Sequence, residues 1–208
     1  MSEHATGSPG LSKARVEALT DGIFAVAMTL LILDIKVPAV PGGHLPRELL
    51  ALWPRVLSYA ISFVMLGIYW VGQHNQFHLI RQTDRTLLWI NIFFLMTLCF
   101  VPFSTALLSS YPGEQVAVAV YGGNLVVIGL ILEAHWSYAT RGRRLVDPEL
   151  DARTIRFASR RILIGPGVFG AAIAVSFLST TAALVIFALA PIVYFFPGKI
   201  DRHWSERR

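Results

Sequence analysis

"RVEALTDGIFAVAMTLLILDIKVP", residues 15 to 38, decides the fold. Its charged residues gather at the two ends, Arg15, Glu17 and Asp21 at one and Asp34 and Lys36, followed by Pro38, at the other. Between Asp21 and Asp34 there is no charge. A helix rising about 1.5 Å per residue needs around 20 residues to cross a hydrocarbon core of about 30 Å. This stretch meets that length. On a wheel of 100° per residue with Val26 at zero, Leu33 falls at about −20°, Leu30 at about +40° and Thr29 at about −60°. The helix therefore has an aliphatic stripe with one hydroxyl at its edge. Ala25 and Ala27 flank it, and small flanking residues admit close helix neighbours. Asp21 lies about 140° from the stripe, which predicts that it points into the protein. A buried carboxylate needs a partner. The expected partners are Arg15, Thr20 and the polar residues Gln73, His74 and Asn75. Spacing alone also suits a stripe that faces lipid or core.

The rest of the chain has the same character. Of its 208 residues 54% are hydrophobic and only 15% are charged, where a soluble domain carries about a quarter. Six apolar stretches stand out, at residues 18–35, 56–71, 87–108, 116–132, 162–178 and 182–196. They predict an all-α polytopic membrane protein with six spans, the last two forming a tight hairpin. With the N-terminus in the cytoplasm, 15 of the 18 Lys and Arg fall on the inner side, as the positive-inside rule requires. Both termini are thus expected inside. The net charge of +5 follows from topology, so no nucleic-acid partner is expected. Trp53, Tyr111, Trp136, Tyr138 and Trp204 stand near span ends, where interfacial aromatic belts form. Residues 1–12 read as a disordered cytoplasmic N-terminus, 13–198 as the membrane domain and 199–208 as a cytoplasmic tail.

Between the fourth and fifth stretches, "VDPEL" suggests a helix start with Asp147 as N-cap and Pro148 following. Arg153, Arg156 and Arg160 share one face of the helix that follows, suited to anionic lipid. His74 and His78 are spaced for a metal, but Asn75 stands where a zinc protease has Glu, and no acidic third ligand is near. Glu133 and His135 are expected to be solvated at the inner interface. The glycines of "VYGGN" (120–124) suit close helix packing rather than a carbonyl filter. Cys99 reads as a small hydrophobe. Neither a nucleophile elbow nor a phosphate loop is present, so no enzymatic activity and no cofactor are expected.

Three ordered motifs carry a resemblance. "RVEALTD" has Arg15, Leu19, Thr20 and Asp21 where the transmembrane protein 175 family has R-x-x-x-F-S-D. "YWVGQH" (69–74) is similar to its Y-W-x-x-H, with Trp70 in place and His74 one position beyond the motif's His. "NIFFLMTLCFVPFST" (91–105) resembles its N-x-x-F-L…P-F-S-T. The resemblance implies a single-repeat, prokaryotic member that assembles as a homotetramer, with the first helices around a central pore. It implies a passive potassium-preferring channel whose filter and gate are hydrophobic rings, here from Val26, Leu30 and Leu33, with Thr29 as a nearby hydroxyl. K⁺ is then the permeant species, in the cell's inner membrane. Arg15, Leu19, Thr20, Asp21, Trp70, His74 and Asn75 would form the motif and anchoring network. The alternatives are a proton-coupled transporter or proton leak with Asp21, His74 and Glu133 as relay, and a non-conducting scaffold.

Overall fold

A computed structural model describes residues 13–41 and 43–195; the expected terminal segments 1–12 and 199–208 lie outside the described residues. Eight α-helices follow in order: α1 Lys13–Leu30, α2 Leu45–Ala51, α3 Trp53–Leu79, α4 Arg85–Cys99, α5 Val101–Ser110, α6 Gln115–Thr140, α7 Ala152–Ser176 and α8 Thr180–Phe195. A 3₁₀ turn, Leu31–Asp34, continues α1. Pro102 has no N–H for the carbonyl four residues back, so α4 and α5 are one span broken at Phe100. Among the described residues five segments are long and apolar enough to cross a membrane: Lys13–Asp34, Trp53–Leu79, Arg85–Ser110, Gln115–Arg143 and Ala152–Ser176. The sixth expected span, α8, is a shorter apolar helix. The α7–α8 hairpin has the tight turn expected of it, capped by Ser179 Oγ accepting from the Ala182 amide at 3.2 Å.

The core is centred on α6, whose Tyr121, Leu125, Ile128 and Leu132 are buried. Its glycines allow this. A Cβ on Gly129 would stand 2.6 Å from Pro166 Cγ of α7, and one on Gly122 would stand 2.9 Å from both Ile173 and Phe187. Gly123 faces open space, so only the first glycine of that pair serves packing.

The loops fix which ends lie together. Arg81 pairs with Asp147, and Ile80 and Val146 form an antiparallel bridge, so the α3–α4 and α6–α7 connections share one end. At the opposite end Ser109 Oγ donates to Asp34 Oδ2 at 2.7 Å, joining the end of α5 to the end of the first span.

Three expectations are corrected. Asp147 does not cap a helix; its Oδ1 accepts from the Glu149 amide at 2.9 Å in a turn, and α7 begins after Asp151. Trp136 is fully buried rather than interfacial, in a cluster with Ile80, Leu87 and Val146, and its indole donates to the Ile155 carbonyl at 3.2 Å. His135 is buried as well, because it faces α3, where its Nδ1 stands 2.8 Å from Gln76 Oε1.

Candidate functional site

Two faces of α1 have opposite fates. Val16, Thr20, Phe24, Ala27 and Leu31, at three- and four-residue spacing, are buried against the rest of the chain. Phe24 meets Phe94 of α4 with ring centroids 6.0 Å apart. The other face carries Leu19, Val26, Leu30 and Leu33, exposed by 53%, 53%, 43% and 67%. On the same wheel Arg15 and Leu19 fall within about 20° of Val26, so the stripe runs the length of the helix. Thr29 is exposed beside it, and its hydroxyl donates to the Val26 carbonyl at 2.8 Å. With its proton committed to the backbone, the Thr29 oxygen keeps its lone pairs for an outside partner.

The anchor differs from expectation at Asp21. It is exposed within the chain rather than buried. Thr20 occupies the buried face, and the next residue is turned about 100° away from it. The Asp21 partner is Trp70 of α3, whose indole Nε1 donates to Oδ1 at 2.8 Å. Arg15 is six residues from Asp21, about 120° around the helix and about 9 Å along it, so the two do not pair in one chain. His74 stacks on Trp70, centroids 5.5 Å apart and planes 25° apart, and steadies the indole. Asn75 is half-buried on another side of α3 and stands outside this network.

Thr20 anchors the helix instead. Its Oγ1 accepts from Asn91 Nδ2 of α4 at 3.1 Å, and Asn91 Oδ1 accepts from Gln73 Nε2 of α3 at 2.5 Å. One buried chain of hydrogen bonds thus ties α1, α4 and α3 together. Glu133 is not brought to Asp21 or His74. It lies on α6 with Ser137 and Ser159 as partners. The proposed relay is therefore not assembled.

The pattern that defines the endosomal/lysosomal potassium channel TMEM175 matches residues 15–102, which hold the whole of this site. A potassium channel of Streptomyces collinus is 39% identical over 187 residues, covering 88% of this chain and 91% of the relative. The chain belongs to the TMEM175 family. Among solved structures, that of a lysosomal potassium-selective channel TMEM175 homolog from Chamaesiphon minutus is similar with a TM-score of 0.78 at 34% identity, covering 88% of this chain and 95% of that one. The endosomal/lysosomal proton channel TMEM175 of Homo sapiens is 39% identical over 100 residues, 44% of this chain and 19% of the human one. The family is one of ion channels rather than enzymes, and this member is a multi-pass membrane protein.

The TMEM175 motifs take on physical roles here. Asn91, which opens the third motif, is the acceptor and donor at the centre of the Thr20–Asn91–Gln73 chain. Thr105, which closes it, donates to Ser62 Oγ of α3 at 2.9 Å, and Ser62 lies 3.0 Å from Tyr121 OH of α6. Sequence reasoning missed Asn91 and the Gln76–His135 pair as structural residues, and it assigned Gln73 to Asp21 rather than to Asn91. For Asn91 the signal was present: it is a lone polar side chain in an apolar run, and such a group in a membrane domain needs a partner on another helix.

Proposed function

We propose that this protein is a potassium-conducting channel in which four copies meet with the exposed face of α1 around a common axis. One observation carries this reading: the aliphatic stripe from Leu19 to Leu33 stays uncovered while the opposite face of the same helix is buried. A single α1 cannot enclose water, but four such faces can. Val26, Leu30 and Leu33 then form successive apolar rings, with the Thr29 oxygens beside them. Apolar rings give an ion no ligands, so a narrow constriction favours the cation that sheds part of its water most cheaply, K⁺ over Na⁺, and closes by dewetting. Thr29 supplies oxygen where the water is stripped. Arg15 and Asp21, unpaired with each other in one chain, lie on the uncovered side and are available to neighbouring copies.

In the membrane α8 serves as the sixth span, a short helix being accommodated by local thinning of the bilayer. An even number of crossings puts both termini on the arginine-rich, cytoplasmic side of the inner membrane. Introduced cysteines test the arrangement. Cys at Leu30 is expected to cross-link copies under oxidation, while Cys at Leu31, which is 2% exposed and turned into the chain, is not. The reverse pattern excludes this pore face. Reversal potentials under asymmetric K⁺ and Na⁺ measure the preference.

Passage of protons is a second reading, favoured because the human relative, similar over 100 residues, is named a proton channel. A pH gradient imposed in the absence of permeant metal cations separates the two: a proton path gives a current, a strictly potassium-conducting path gives none.

A further inference from the structure

The first span does not end as the α-helix it began as. After Leu30 the chain tightens into the 3₁₀ turn Leu31–Asp34, with the Ile35 amide donating to the Ile32 carbonyl at 3.0 Å, and leaves it in extended backbone at Ile35. A 3₁₀ turn advances about 120° and about 2.0 Å per residue, so side chains three apart eclipse. Leu33 therefore stands over Leu30 on the uncovered face, and Asp34 stands over Leu31 on the buried one. At 100° and about 1.5 Å per residue, an α-helix would leave Leu33 about 60° off the line of Leu30 and about 1.5 Å nearer to it. The same rewinding would swing Asp34 about 80° toward the uncovered face.

The turn is held from outside. Asp34 Oδ2 accepts from Ser109 Oγ of α5 at 2.7 Å. Ser109 has one other acceptor in reach, the Ala106 carbonyl of its own helix at 3.0 Å, so the shorter, charge-assisted bond takes its single proton. One turn earlier on the same face of α5, the buried Thr105 donates to Ser62 Oγ of α3 at 2.9 Å, which makes α5 a fixed post. The 3₁₀ turn packs against both α3 and α5.

We propose that Asp34 and Ser109 are positioning residues for ion selection: their hydrogen bond keeps the end of the first span in its 3₁₀ form, and that form sets the Leu33 ring in line with the Leu30 ring. The inference rests on the pore reading given above, because only around a common axis does a turn of Leu33 by about 60° change what an ion meets. The carboxylate acts through the backbone and not as an ion ligand, since its oxygen is turned to α5. A hydrogen bond to a charged group biases such a two-state turn by about ten- to a hundredfold. Its loss frees the turn to rewind, carries Leu33 to the edge of the face and opens the outer constriction.

Bilayer recordings and disulfide cross-linking of the full-length oligomer test this. Ser109→Ala removes one oxygen at a half-buried position. It is expected to lower K⁺ over Na⁺ discrimination to that of Leu33→Ala, to add nothing when combined with Leu33→Ala, and to add to the effect of Leu30→Ala. Asp34→Leu breaks the same bond from the other side and should behave alike. Ser109→Thr keeps the hydroxyl and should keep the parent's reversal potential. Asp34→Asn loses the charge but keeps an acceptor oxygen, so it should stay closer to the parent than Ser109→Ala does. Cross-linking reads the geometry without any current. Leu33→Cys should join neighbouring copies and lose that cross-link when Ser109→Ala is added, while Leu30→Cys cross-links in both backgrounds. A Leu33→Cys cross-link that survives Ser109→Ala overturns the assignment. So does lost discrimination in Asp34→Asn with Ser109→Ala unchanged, which would make the carboxylate an ion ligand. If neither Leu30→Cys nor Leu33→Cys cross-links in the parent, the pore face itself fails and the assignment falls with it.

Discussion

The Trp70–Asp21 hydrogen bond lies on the exposed side of α1, whereas the Asn91–Thr20 bond is buried. That difference sets the cost of losing each. Trp70→Phe is expected to lower stability by ~1 kcal/mol, the ordinary net worth of a hydrogen bond. Asn91→Leu leaves the Thr20 and Gln73 side chains buried without their partner and should cost roughly 2–6 kcal/mol, at about 1–3 per stranded group. Thermal melting of the two variants checks the order, and a larger loss for Trp70→Phe would place Asp21 in a buried contact after all. At the α4 end, burial alone would raise the Asp84 carboxyl. The Leu87 amide at 2.8 Å, the Tyr138 hydroxyl at 2.7 Å, Arg144 and the Thr86 amide outweigh it and hold the pKa below the ordinary carboxylate value. Because the folded pKa is the lower one, this contribution is complete above the unfolded value of about 4 and fades as pH falls through the folded value. Asp84→Asn should therefore melt below the parent at neutral pH, with the gap closing in acid. A gap constant across pH would leave the carboxylate charge no role. Asp21 shows the limit of reading single residues from a wheel. Its angle to the stripe was legible, but which third of the circumference the other helices would cover was not.

Between helices, close approach rests on particular glycines. Gly129→Ala drives a Cβ into the rigid Pro166 ring and should cost about 1–3 kcal/mol through displacement of α7. Gly123→Ala, about 1.7 turns away on open surface, should be neutral or slightly stabilising, since Ala is the better helix former. Equal melting temperatures for the two variants would deny that α6 and α7 touch there. The spans themselves were legible because about 20 apolar residues have few other uses. The short amphipathic α2, Leu45–Ala51, was not anticipated, because seven residues carry too little periodicity to stand out from a loop. Nor was the break at Phe100 in the third stretch, although Pro102 is the kind of residue that makes one. The start of α7 was misplaced because Asp147 and Asp151 are both acceptable caps, and the choice was made by pairing of the linker with the α3–α4 connection.

Seen as one object, the chain is a shell of helices around α6 that leaves half of α1 bare. Leu30→Ala and Leu33→Ala are expected to widen the apolar constriction in the assembled channel, raising conductance and weakening K⁺ over Na⁺ discrimination. Bilayer recordings check this, and unchanged conductance and reversal potential for both would move the ion path elsewhere. The four stripe residues were legible from spacing, and the structure leaves them exposed, but nothing in one helix states how many copies surround the axis. The pairing of Arg81 with Asp147 spans 66 positions in the chain, and this has a consequence for how the protein is made. At about 5–20 residues per second, the ribosome delivers Asp147 some 3–13 s after Arg81. Throughout that interval the end of α3 has emerged without its clasp, while α4, α5 and α6 are still being threaded into the bilayer. The first half of the molecule must then hold its register through the Thr20–Asn91–Gln73 chain, which is complete once α4 has been made.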